Sequence, residues 1–199
     1  MPADYRLAPP IAMKKISSSE IWGTIVSLAG LMVMAGWVWD VSVLKSILPH
    51  WVTMKFSTAF SFFLSGIILF LLARFMKGEA LAQILLLIPS LVVLFLMGTL
   101  LLSSFSDIRT GVEDLFMREA EGAARSVAPG RPSVVTMVCF ILMSVTGLAA
   151  MLGAPGLKKI LTAAGGALVG FGGLALLGYL LQVPVFYSAV EGWSKPCLI

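Results

Sequence analysis

His50 is the one histidine of the chain, and Asp40 closes a long apolar run. An imidazole titrates near neutral pH and suits a pH sensor. A carboxylate at the edge of hydrocarbon suits a proton or ion path. A lone histidine supplies neither a bis-histidine haem site nor a histidine-rich metal cluster within one chain. No second titratable group stands ready to pair with it, and no set of nucleophile, base and oxyanion donors is present. His50 therefore reads as an interfacial side chain beside Trp51, and Asp40 as a helix-end residue reaching headgroup water or pairing with Lys45. Gln83 and the hydroxyls of Thr58, Ser61 and Ser65 could line a path for a neutral solute, but helix packing is their expected use. The glycines from Gly165 to Gly173 lie in an apolar run with no following Lys-Ser or Lys-Thr, so they form no phosphate loop. Cys139 and Cys197 form no CxxC or metal-ligand spacing. Cys139 is expected to pack as a small residue, and Cys197 stands one position short of a prenylation box.

The elements that hold these residues are apolar helices. Of 199 residues, 59% are hydrophobic and 12% charged, with the apolar ones gathered into long runs. Too few polar side chains remain to cover a globule in water, so the expected class is an all-α, polytopic integral membrane bundle. The net charge of +4 comes from basic residues flanking apolar runs. That distribution points to orientation in a bilayer and away from nucleic acid.

Five spans are expected, at about 21–39, 56–72, 81–103, 133–153 and 160–182, between a tail at 1–16 and a short tail at 191–199. Ser17 followed by Glu20 predicts a capping box opening the first span. Pro89 predicts a kink in the third. Val41, Val43, Leu44, Ile47 and Leu48 surround Lys45 and predict a short interfacial helix ended by Pro49. A surface helix is expected from Thr110 to Arg125, in a stretch (107–131) whose mixed signs suit a solvated face. No signal peptide is evident, since the N-terminal segment is polar and carries prolines.

Two stripes of small residues mark helix-contact faces. The first is Gly23, Ser27 and Gly30. The second is Ala163, Gly166, Gly170 and Gly173, inside the run Ile160 to Val190, which has no charged side chain. Both are candidate packing or partner interfaces. Trp37, Trp39, Trp51 and Trp193 are expected as anchors at headgroup depth. With the N-terminus inside, inner segments hold seven basic and three acidic residues, against seven of each in the longer outer segments. This favours a cytoplasmic N-terminus and a C-terminus on the opposite side.

The segment MAGWVWDVSVLKSILP followed by MKFSTAFSFFLSGIILFLL has echoes in LMGTLLLSSFSDIRTGVEDLFM and RPSVVTMVCFILMSVTGLAAML. Gly36, Gly98 and Gly178 sit at equivalent places, as do Thr58 and Thr136, so the repeating unit is an outgoing helix, an interfacial segment and a returning helix. The glycine and aromatic at a helix end, the connector ending in Leu-Pro and the MKxxTA opening resemble the repeated N-terminal membrane region of bacterial sensor histidine kinases and diguanylate cyclases. The resemblance implies a bacterial inner membrane and a sensory or partner-binding role; the outer side, where the charge distribution puts the C-terminus, would then be the periplasm. Those proteins continue into a cytoplasmic catalytic domain, usually after an even number of spans, whereas this sequence ends at Ile199 after five.

The expected function is therefore non-catalytic: an accessory or scaffolding subunit of a larger membrane complex. The expected partners are other integral membrane subunits and membrane lipids. No cofactor is expected beyond a bound lipid or pigment contact. A free-standing sensory module signalling through a separate protein is the alternative, and a small permease the third. No Asp, Glu, Lys, Arg or His falls inside the five expected spans, which argues against pumps and ion-coupled transporters.

Overall fold

The computed structural model describes residues 16–45, 54–106, 111 and 132–181, all of whose regular structure is helical. Seven helices are described: α1 Ser18–Val38, α2 Ser42–Lys45, α3 Phe56–Met76, α4 Ala80–Leu85, α5 Leu87–Ser106, α6 Val134–Met151 and α7 Leu157–Leu180. Five segments are long and apolar enough to cross a membrane, with α4 and α5 forming one of them, Ala80–Ser106. His50, Trp51, Trp193, Cys197 and the Thr110 to Arg125 stretch lie outside the described residues, Gly111 apart.

Local sequence sets the helix ends. At the start of α1 the Ser17 amide donates to Glu20 Oε2 at 2.7 Å and the Glu20 amide to Ser17 Oγ at 3.4 Å, the reciprocal box that the spacing predicts. At its other end Asp40 takes φ +56°, and the Val41 amide donates to Gly36 O at 2.9 Å. That is a helix stop with an aspartate where glycine is usual. Asp40 thus has a conformational role at the end of α1. Gly153 ends α6 the same way, at φ +63°, with the Ala154 amide on Ala149 O at 2.9 Å.

The third span is broken at Leu86, between α4 and α5. Pro89 lacks the amide that would reach Leu85 O and its ring crowds that carbonyl, so the ladder opens there. Only the short helix α2 represents the expected interfacial connector among the described residues, and Trp37 Nε1 ties this end of α1 to Met54 O at 2.9 Å.

The bundle is built on α3, which packs α1 on one side and α5 and α6 on the other. One core cluster joins Val93, Leu96, Met97 and Leu100 of α5 to Met137 and Phe140 of α6, with Phe60 and Leu64 of α3 against it. Phe62 meets the Phe140 ring edge to face, centroids 5.1 Å apart. A second cluster, nearer the α1 N-terminus in depth, holds Ile68, Leu72, Leu86 and Ala150, and Leu157 and Leu161 of α7 lean on it. Ser57, Ser61 and Ser65 recur every four residues along the face of α3 turned from α1, and all are buried. Their small size lets α5 and α6 close on α3. Outside, the surface is apolar: Trp22, Leu28 and Met32 of α1, Phe95 and Leu102 of α5, and Val169 and Leu176 of α7 are all exposed. So continuous an apolar exterior suits lipid and not water.

Candidate functional site: two glycine faces and a charged end

The two small-residue stripes occupy different surroundings. On α1, the stripe lies against α3, which runs antiparallel to it. A Cβ at Gly23 would stand 2.8 Å from Gly66 O and 2.8 Å from Phe70 N, and one at Gly30 would stand 2.5 Å from Phe63 N and 2.6 Å from Ala59 O. These are backbone atoms, so only glycine allows the approach. Between them, Ser27 Oγ donates to Phe63 O at 2.9 Å, a bond that substitutes for water in an apolar medium. This face is filled from within the chain by α3.

The matching surface on α3 is Ala59, Phe63, Gly66 and Phe70. Gly66 is as constrained as its counterparts, because a Cβ there would run into the Ser27 amide and hydroxyl. Sequence reading passed over Gly66. The available signal was the seven-residue spacing of Ala59 and Gly66, equal to that of Gly23 and Gly30.

On α7 no described residue covers the stripe. Ala163 is exposed, and Cβ atoms at Gly165, Gly166, Gly170, Gly172 and Gly173 would meet nothing within 4 Å. The helix rests on α6 through the opposite face, where Ala164 is buried. At 1.5 Å per residue, Ala163 to Gly173 makes a smooth strip about 15 Å long.

The charged end was not foreseen. Glu20 opens α1, but its side chain is only 4% exposed and lies between Arg74 of α3 and Lys77 just past the end of that helix. Lys77 Nζ donates to Oε2 at 2.7 Å. Arg74 Nε stands 3.0 Å from Oε1, close enough for an ion pair although its N–H is not aligned for a hydrogen bond. Arg74 also bonds Glu79 Oε1 at 3.1 Å and lies over the Phe70 ring, 5.2 Å from its centroid. One carboxylate thus caps α1 and clamps it to the end of α3. With so little water at Glu20, removal of its charge leaves two cations crowded together. Glu20→Gln, which keeps a capping-box residue, is expected to lower the thermal midpoint in detergent. Lys77→Gln in that background should cost less than it does alone, because the pair is already broken. Strict additivity across the four proteins would show that the two side chains are not coupled.

The remaining candidates have structural placements. Gln83 Nε2 donates to Met151 O at 2.8 Å and so satisfies a carbonyl at the end of α6. Cys139 is half-buried as a free thiol within α6. Trp37 is half-buried and Trp39 exposed at one end of α1, with Trp22 exposed at the other. Among the described residues no three His, Cys, Asp or Glu side chains gather as metal ligands would. The arrangement offers surfaces for helices and headgroups, with α7 as the one glycine face that the described chain leaves uncovered. No family model, curated protein or solved structure matches the chain.

Proposed function

We propose that this protein is a non-catalytic, multi-pass membrane protein that serves as an accessory or scaffolding subunit of a larger bacterial inner-membrane complex. Another subunit docks a transmembrane helix on the α7 face formed by Ala163, Gly166, Gly170 and Gly173. The N-terminus faces the cytoplasm and the C-terminus the periplasm, in keeping with the distribution of lysine and arginine.

The observation that carries the proposal is the contrast between the two stripes. In α1 the glycines bring a neighbouring backbone within 2.5 to 2.8 Å of where a Cβ would stand, and in α7 nothing lies within 4 Å. In lipid, helices associate through close packing because the tails are as apolar as leucine. A glycine stripe therefore gains little from facing lipid and much from a second helix. A parallel second copy is disfavoured, since Lys158 and Lys159 of the two chains would meet at the head of the contact.

Extraction of native membranes in mild detergent, size separation and mass spectrometry of co-migrating chains test the proposal. Stoichiometric co-migration with other membrane subunits is the expected result. Gly170→Leu should abolish it while shifting the isolated chain's own stability by no more than about 0.5 kcal/mol, because the position is open. Undiminished co-migration of that variant would sink the docking face. Migration of the wild-type chain alone would favour the free-standing sensory module.

A further inference from the structure

We propose that the serine seam between α3 and the α5–α6 pair binds a file of internal water molecules. Ser57, Ser61 and Ser65 of α3 and Ser90 of α5 are between 0 and 8% exposed, and none of their four hydroxyls has a hydrogen-bond partner among the described residues. Burying a hydroxyl without a partner is costly, and lipid around the bundle supplies none. Elsewhere in the helices the hydroxyls of Thr24, Thr99, Ser104, Ser144 and Thr146 turn back on the carbonyl four residues earlier. The seam serines make no such bond. Close packing does not account for them either, since alanine allows the same approach without a hydroxyl. The α1–α3 contact is made in that way, by Ala59 and by Gly23, Gly30 and Gly66, and the hydroxyl among them, that of Ser27, is bonded to Phe63 O.

The spacing of the seam suits water. Serines four residues apart on a helix stand about 6 Å apart along it, too far for one hydroxyl to reach the next. A water about 2.8 Å from each of two hydroxyls spans that gap. Each serine has one proton to give and two lone pairs to fill, so it can bond the water on either side of it. The carbonyls of Ser57 and Ser61 keep a second lone pair for the hydrogen that each water has left. α3 also rests on α5 and α6 more sparsely than on α1, which leaves room that a flush contact would not.

The file has one open end. On the same face of α3, Ser65 is followed by Ile68 and Leu72 at spacings of three and four, and these are sealed by Leu86 and Ala150. Ser90 Oγ and Ile68 Cγ2 both lie against Gly147, which puts the fourth hydroxyl at this closed end. Water therefore enters where α3 begins, at Ser57, and stops midway along the bundle. It hydrates the core and crosses nothing. The inference rests on the helices crossing a membrane and is independent of any partner at α7.

Radiolytic footprinting of the purified full-length chain in detergent gives the test. X-ray pulses make hydroxyl radicals from bound water in place, while a scavenger in the buffer removes those formed in the solvent. Met97 and Met137, both 0% exposed in the cluster that packs on this side of α3, are the reporters. Both are expected to oxidise despite the scavenger, about fivefold faster in the wild type than in Ser61→Ala with Ser65→Ala, which removes two of the hydroxyls that hold the file. The alanine pair should keep its thermal midpoint, since no bond within the protein is lost. Ser61→Ala alone should show part of the same fall in rate. Protection of both methionines in the wild type would overturn the proposal and return the hydroxyls to carbonyls of their own helix. So would equal oxidation in the wild type and the alanine pair, because the radicals would then arise from water held elsewhere.

Discussion

Gly30→Leu is expected to separate α1 from α3 and to destabilise the chain by at least about 3 kcal/mol, the upper range for forcing atoms into a packed contact. The obstacle is backbone: Phe63 N, Ala59 O and Phe63 Cα stand 2.5, 2.6 and 3.0 Å from where the new Cβ would be. No rotamer change relieves such a clash, so α1 must tilt away. The movement would carry Ser27 Oγ off Phe63 O and strain the Glu20 clamp three turns along the same interface. Even Gly30→Ala places its methyl under 3.0 Å from two backbone atoms and should show a smaller loss of the same kind. Thermal unfolding in detergent, with protease access to α1 as a second readout, measures both. Tolerance of leucine at Gly30 as complete as at Gly170 would mean that the α1–α3 contact is not the one described.

How far the fold could be read from the chain depends on the range of the interaction. Apolar runs, the Ser17–Glu20 box and Pro89 act within a few residues of themselves, so the five long helices, the start of α1 and the break at Leu86 were all legible. Periodicity also shows which residues share a helix face. It does not show which helix the face meets. The two glycine stripes look alike in sequence, yet one is closed by α3 and the other is open. Gly66 was hidden because its importance arises only when Ser27 is laid across it.

Glu20 shows the same limit in electrostatic form. Its position three residues after Ser17 identifies a cap, but its stronger partner, Lys77, is fifty-seven residues downstream. Expected spans that began at residue 21 and ended at residue 72 left Glu20, Arg74 and Lys77 as flanking charge. In the fold, α1 and α3 extend a turn further, and these charges pair across the end of the helix couple. Lys158 and Lys159 lie at the same end of the bundle, and among the described residues no acid pairs with either of them.

The junction of α3, α5 and α6 supports a prediction about volume. A Cβ at Gly147 would meet Ser90 Oγ first and Ile68 Cγ2 at 3.1 Å. The hydroxyl can rotate away, but Ile68 is fully buried and held by Leu72, Leu86 and Ala150. Gly147→Leu should therefore overpack the junction and destabilise it by about 3 kcal/mol. Ile68→Ala errs in the other direction, leaving a void where three helices meet, and should lose about 2 to 4 kcal/mol. Combined, the two changes roughly exchange volume across one contact. The double variant should be more stable than the sum of the single losses by more than about 1 kcal/mol. Thermal or denaturant unfolding of the four proteins in the same detergent closes the cycle. A coupling near zero would place Gly147 and Ile68 apart, and with it would fail the packing of α6 on α3 that positions α7 and its open face.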